Sequence, residues 1–97
     1  MNDGALSAHD LVVLRQWEAS QRGALSTWTI FDHPRDFPNE FVARRFESDK
    51  TNPEPAPTMD LIAAHELEEL RECFRFAGLT PLGRMDGDQP QIVEAWI

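Results

Sequence analysis

The chain has 97 residues, of which 41% are hydrophobic and 27% charged, with a formal net charge of -8 and a single cysteine. That length sets one domain spanning residues 1–97, whose folding buries about 60 to 65% of the unfolded surface, so its core is real but thin. Near-globular composition argues against disorder, and the charge argues against nucleic acid and anionic membranes as partners: both call for a basic face, and no Lys/Arg cluster here is longer than Arg44-Arg45.

The acid is concentrated in the second half. Residues 1–50 carry six Lys/Arg against eight Asp/Glu, whereas residues 51–97 carry three against nine. No apolar run approaches the ~18 to 20 residues of a membrane span. No basic segment followed by an apolar stretch opens the chain, so export is not expected. A lone Cys73 closes no internal disulfide, which suits a reducing compartment. The expected location is the cytoplasm.

Ser7 and Asp10 stand in capping-box spacing, and Leu6 and Leu11 sit where a hydrophobic staple closes, which predicts a helix over residues 8–21 ended by Gly23. Its apolar stripe reads as Leu11, Val13, Leu14 and Trp17. Residues 1–24 thus form an N-terminal helical extension. Thr27–Asp32, dense in β-branched and aromatic residues, predicts a first strand closed by turn formers over His33–Pro38. Phe41–Glu47, apolar but interrupted by Arg44 and Arg45, predicts a second strand antiparallel to the first. Residues 48–58 hold Pro53, Pro55 and Pro57 at alternate positions and read as an extended surface loop.

Ala63, Leu67, Leu70, Phe74 and Ala77 then recur at helical spacing up to Gly78, while Leu61 and Ile62 fall off that stripe. The stretch therefore splits into a short strand near 59–63 and a helix over 66–76. A single helix from Met59 is the rival reading, because Ala64-His65 offers a poor cap. Leu79–Met85, with Pro81 and Gly83, reads as an edge strand or connector, and Asp86–Pro90 as a turn. Gln91–Ile97 carries one charge, Glu94, and predicts a central last strand. The class is α+β: a small, mostly antiparallel sheet of about three to five strands with one packed helix and an additional N-terminal helix. The expected core is Trp28, Ile30, Val42, Leu67, Leu70, Phe74, Val93 and Ala95.

Four segments recur in a recognisable order: Trp28-Thr29-Ile30-Phe31-Asp32-His33-Pro34, Phe41-Val42-Ala43-Arg44, Leu67-Glu68-Glu69-Leu70-Arg71 and the closing Val93-Glu94-Ala95-Trp96. Across residues 26–97 this order resembles a family of short uncharacterised bacterial proteins. The resemblance implies a small sheet with one helix, and it brings no reaction, cofactor or ligand. The N-terminal helix lies outside it.

The Asp32-His33-Pro34-Arg35-Asp36 connection gathers an imidazole, a guanidinium and two carboxylates. With Arg44 on the next strand, His33, Arg35, Asp36 and Arg44 are the candidate ligand residues, of a chemistry suited to a small anion or to acid–base work. Turn chemistry favours a structural account, in which Pro34 opens a turn and the two aspartates accept local N–H groups. His9, His33 and His65 show neither HxH nor HExxH spacing, and Asp86 and Asp88 lack the rest of a calcium loop, so no metal or cofactor is expected. Cys73 has no base one turn away on its own helix. No GxSxG element or glycine-rich phosphate loop exists, and no catalytic residue is assigned. Glu66, Glu68, Glu69 and Glu72 read as a solvated helix face.

Strand alternation puts Trp28 and Ile30 on one side of the first strand and Phe31 on the other, and Ile92 and Trp96 opposite Val93, Ala95 and Ile97 in the last. Both sheet faces are then apolar, and one short helix covers only one of them. Either the N-terminal helix or a second copy must cover the other. Leu11, Leu14, Trp17, Phe31 and Trp96 are the expected interface residues. The reading is a non-enzymatic interaction module acting as a homodimer or with another protein. The alternative is a small anion-binding protein or enzyme at the Asp32–Asp36 turn.

Overall fold

Local signals at the chain's glycines and caps set the helices. A computed structural model describes residues 6–84 and 87–97; residues 1–5, Met85 and Asp86 lie outside the described residues, and with them part of the expected 79–85 connector and 86–90 turn. The elements run α1 (Ala8–Gln21), β1 (Leu25–Asp32), β2 (Phe41–Ser48), β3 (Ala56–Ala64), α2 (Leu67–Phe76) and β4 (Ile92–Trp96). Ser7 Oγ accepts the Asp10 N–H at 3.1 Å to start α1. At its end, Gly23 at φ +71° lets its own N–H reach the Ser20 carbonyl and the Ala24 N–H reach that of Ala19 at 2.9 Å, a Schellman closure. Gly78 ends α2 in the same way, through Arg75 and Phe74.

The start of α2 resolves the ambiguity after Met59. Glu66 is the N-cap, and its N–H donates to Glu69 Oε1 at 3.3 Å, so Ala64 and His65 need cap nothing. Ala56–Ala64 is strand throughout, and the single-helix reading falls. β3 also takes three residues, Ala56, Pro57 and Thr58, out of the expected proline loop. Pro57 is tolerated because β3 is an edge strand, where a missing N–H need break no ladder.

The four-stranded sheet has the order β3-β2-β1-β4, every pair antiparallel. β4 is therefore an edge strand, contrary to the central position its apolar run suggests. A short extended segment runs beside it: Thr80 N–H donates to the Ile97 carbonyl at 2.7 Å, and Leu82 N–H to that of Ala95 at 2.8 Å. Two irregularities matter. Arg44 pairs with Leu61 and Phe46 with Pro57, so residues 58–60 stand opposite Arg45 alone. In the other, Ile30 pairs with Glu94 but Phe31 with Ile92, leaving Val93 as the extra residue. That bulge reverses the parity of β4. Ile92 shares the side of Phe31 and Trp96 that of Trp28, whereas simple alternation put Ile92 and Trp96 together.

Both helices lie on one face of the sheet. Val12 of α1 and Leu70, Cys73 and Phe74 of α2 join Trp28, Ile30, Ala43, Ile62, Ala64 and Trp96 in a single core. The Phe74 ring sits between the two indoles, with centroids 5.8 Å from Trp28 and 5.5 Å from Trp96. Leu67, Val93 and Ala95 are half-buried, not core-buried as expected.

The expected stripe of α1 is turned outward. Val12 and Ala19 are its buried residues, while Val13 is 42% and Trp17 60% exposed. The buried line holds two polar side chains, which hid it. Arg15 Nε donates to Asp60 Oδ1 at 2.9 Å, and Gln16 Oε1 accepts the Trp28 indole N–H at 2.9 Å. Satisfied in this way, neither has to face water. Hence α1 does not cover the second sheet face of its own chain. Among the described residues no helix is long and apolar enough to cross a membrane.

Candidate functional site

With both helices on one side, the other face has no helix over it. β1 contributes Phe31 and Leu25, β2 Phe46, Arg44 and Val42, β3 Leu61 and β4 Ile92. Leu25 is 47% exposed and Val42, beside the 34–37 connection, is 3% exposed, while the other five are half-buried. Phe31 is a ridge between two hollows. One, about 220 Å³, is walled by Pro34, Asp36, Phe37, Arg44 and Leu61. The other, about 340 Å³, is walled by Thr27, Thr29, Phe46, Pro55 and Ile92. The connection after β1 is brought over the first hollow by His33, whose φ of +47° places it in the left-handed region that histidine tolerates better than most residues. The Phe37 N–H then closes a turn on the Pro34 carbonyl at 2.8 Å.

This turn divides the candidate ligand residues. Asp36 and Arg44 line the same hollow. Arg44 Nη1 is engaged by the Thr58 carbonyl at 2.7 Å. His33 Nδ1 contacts the Asp32 carboxylate, and its ring meets that of Phe41 edge-on at 4.9 Å. Arg35 is exposed and does not line the hollow. An anion placed there would meet the Asp36 carboxylate as well as the Arg44 guanidinium.

The expected interface residues also separate. Phe31 lies at the middle of the open face, and Trp17 on the outer side of α1. Leu14 is half-buried, and Leu11 is half-buried against the core. Trp96, at 3% exposure, is a core residue whose indole donates to Glu94 Oε2 at 2.7 Å, which corrects its assignment to an interface.

Charged groups on the helix side hold one another. Arg45, 6% exposed, donates to Asp60 Oδ2 at 2.8 Å and to Glu47 Oε1 at 2.8 Å, and Arg22 holds Glu47 with two bonds of 2.8 and 2.9 Å. The Arg22 pair, followed by Arg45, lowers the Glu47 carboxyl to about 2. Burial alone would raise the Asp60 carboxyl, but Arg15 and Arg45 together leave it lowered. Arg71 grips Glu94 with two bonds and lowers it against the opposing effect of burial. These pairs tie helices to strands.

One contact escaped sequence reasoning. His9 Nδ1 lies 3.7 Å from Cys73 Sγ, brought from a helix 64 residues away, so no local spacing could reveal it. The two line a cleft of about 410 Å³ with Ala8, Ile62, Ala63, Ala64, Glu69, Leu70 and Glu72. Burial pushes the Cys73 thiol up, and Glu69 and Glu72 push the same way. A thiol so placed stays protonated at neutral pH, the opposite of an activated nucleophile. Among the described residues no group of three or more His, Cys, Asp or Glu could hold a metal ion. Comparison with protein-family models, with curated proteins and with solved structures returns no match.

Proposed function

We propose that the chain is a cytoplasmic, non-enzymatic interaction module that forms a homodimer through the open face of its sheet. The observation that carries this reading is the placement of α1 and α2 on the same sheet face, which leaves Phe31, Phe46, Leu61 and Ile92 without a covering layer. Sheets bury such a face by packing on a second layer about 10 Å away, and a copy of the same sheet is self-complementary about a two-fold axis. Electrostatics favour this face. Each copy carries a net charge of -8, yet the one charged side chain that the strands direct onto the face is Arg44. The strand carboxylates Glu47, Asp60 and Glu94 lie on the helix side, held by arginines. A small anion held near Arg44 is the lesser reading, because Asp36 shares that hollow.

Sedimentation equilibrium of the wild type and of Phe46→Glu tests the proposal. A dimer for the wild type and a folded monomer for Phe46→Glu support it. A wild type that stays monomeric at about 100 μM, equivalent to association weaker than roughly -5.5 kcal/mol, overturns it.

A further inference from the structure

The two helices each bring one metal-ligating side chain to the same spot. His9, in the first turn of α1, holds its Nδ1 at 3.7 Å from Cys73 Sγ on α2. Phe76, one turn further along α2, meets the His9 ring edge-on at 5.1 Å between centroids and restrains its plane. Burial keeps the thiol protonated. The contact is therefore an S–H···N pair, with an Nδ1 lone pair available to accept from sulfur. Both groups line the cleft of about 410 Å³, whose walls include Ala8, Ile62, Ala64 and Leu70. Solution thus reaches the pair along mostly apolar walls.

The chemistry of the donors selects an ion. A thiolate is a soft ligand and, beside an imidazole, suits Zn²⁺ or Cu(I). Ligand number and charge separate the two. Zn²⁺ takes four protein ligands in a closed site and three in an open one. Here two converge, and among the described residues no third His, Cys, Asp or Glu joins them in a set that could hold a metal. Zn²⁺ on one thiolate would also leave a net positive charge against apolar walls, which is costly. Cu(I) accepts fewer ligands, and with one thiolate it makes a neutral unit, as the S–H bond does. Distance agrees with this choice. With metal–sulfur and metal–nitrogen bonds of about 2.3 and 2.0 Å, donors 3.7 Å apart meet on one ion at an angle of about 120°, with no movement of either helix.

We infer that Cys73 Sγ and His9 Nδ1 together bind one Cu(I) ion, which enters through this cleft and takes the place of the proton between them. The S–H bond breaks and its proton leaves to solvent. Sulfur forms a bond to the ion with the electron pair it keeps, Nδ1 donates its lone pair to the same ion, and copper stays in the +1 state throughout. Glu69, exposed on the same cleft, adds a negative charge that favours the arrival of a cation. The site lies on the helix side of the sheet, so it does not depend on dimerisation through the open face.

The test is an anaerobic titration of the reduced full chain with Cu(I) supplied as its bicinchoninate complex, the chelator acting as competitor. Expected are one ion withdrawn per chain and a shift of the His9 ring nitrogens in ¹⁵N spectra, with those of His33 and His65 unmoved. His9→Ala should weaken binding by at least about tenfold, since even an outer partner of a metal ligand is worth that much. Cys73→Ala, which keeps a small apolar group at the buried position, should withdraw no ion. Circular dichroism of each variant separates lost binding from lost fold, and the ring-nitrogen spectrum of the wild type decides the matter where a variant does not fold. Unchanged affinity in His9→Ala, binding retained in Cys73→Ala, a response at His33 or His65 in place of His9, or no ion withdrawn by the wild type each overturn the inference.

Discussion

Arg15 of α1 and Asp60 of β3, 45 residues apart, meet through an Nε to Oδ1 hydrogen bond of 2.9 Å, while the other carboxylate oxygen of Asp60 accepts from the buried Arg45. One aspartate thus fastens the N-terminal helix to the sheet and neutralises a guanidinium inside the fold. Removing Asp60 leaves the buried Arg45 with Glu47 as its remaining carboxylate partner. Asp60→Ala should cost about 1 to 3 kcal/mol in denaturant melts, whereas Asp60→Leu combined with Arg45→Met should recover most of that loss. A loss under about 1 kcal/mol for Asp60→Ala would show that the network contributes little.

Acid should unfold the protein through the same network. Glu47, lowered to about 2 by Arg22 and Arg45, and Asp60, also lowered, bind protons less readily in the folded chain than in the unfolded one. Their stabilisation is fully present above the unfolded carboxylate range, near pH 4 to 4.5, and is lost as pH falls through the folded values. Stability should hold flat from pH 7 to about 5 and then fall steeply towards pH 2, with a shallower fall in Glu47→Gln. Equal slopes for the two proteins would contradict the assignment.

The outward side of α1 and the core side of α2 should respond differently. Trp17→Ala, on the outward side of α1, should change stability by no more than about 0.5 kcal/mol. Leu70→Ala, on the core side of α2 and 2% exposed, should cost about 2 to 5 kcal/mol as a cavity mutant. Comparable losses at both positions in thermal or denaturant melts would mean that α1 rests on the sheet by its Trp17 side.

Much of this fold is legible in local chemistry, because caps and turns act over a few residues. Ser7, Gly23 and Gly78 mark helix ends where the structure has them, and the β-branched and aromatic run before Asp32 is a strand. What could not be read depends on distant partners. Arg15 and Gln16 look like surface residues until Asp60 and the Trp28 indole are seen beside them. The parity of Ile92 turns on one extra residue, Val93, whose bulge leaves no sign in composition. β4 resembles a central strand because its run is apolar apart from Glu94, and pairing on both edges is a separate matter. Of the candidate site, Phe31 was legible from alternation alone. The His9 to Cys73 contact follows from topology, which spacing does not encode.

Whether a second copy lies on the open sheet face is answered most directly by isotope-filtered NOEs on a mixture of labelled and unlabelled chains. Expected are intermolecular NOEs from the Phe31 and Phe46 rings to the Phe31, Leu61 and Ile92 side chains of the other copy. Intermolecular NOEs confined to Val13 and Trp17 on the outside of α1, or none at concentrations where the protein sediments as a dimer, would contradict it.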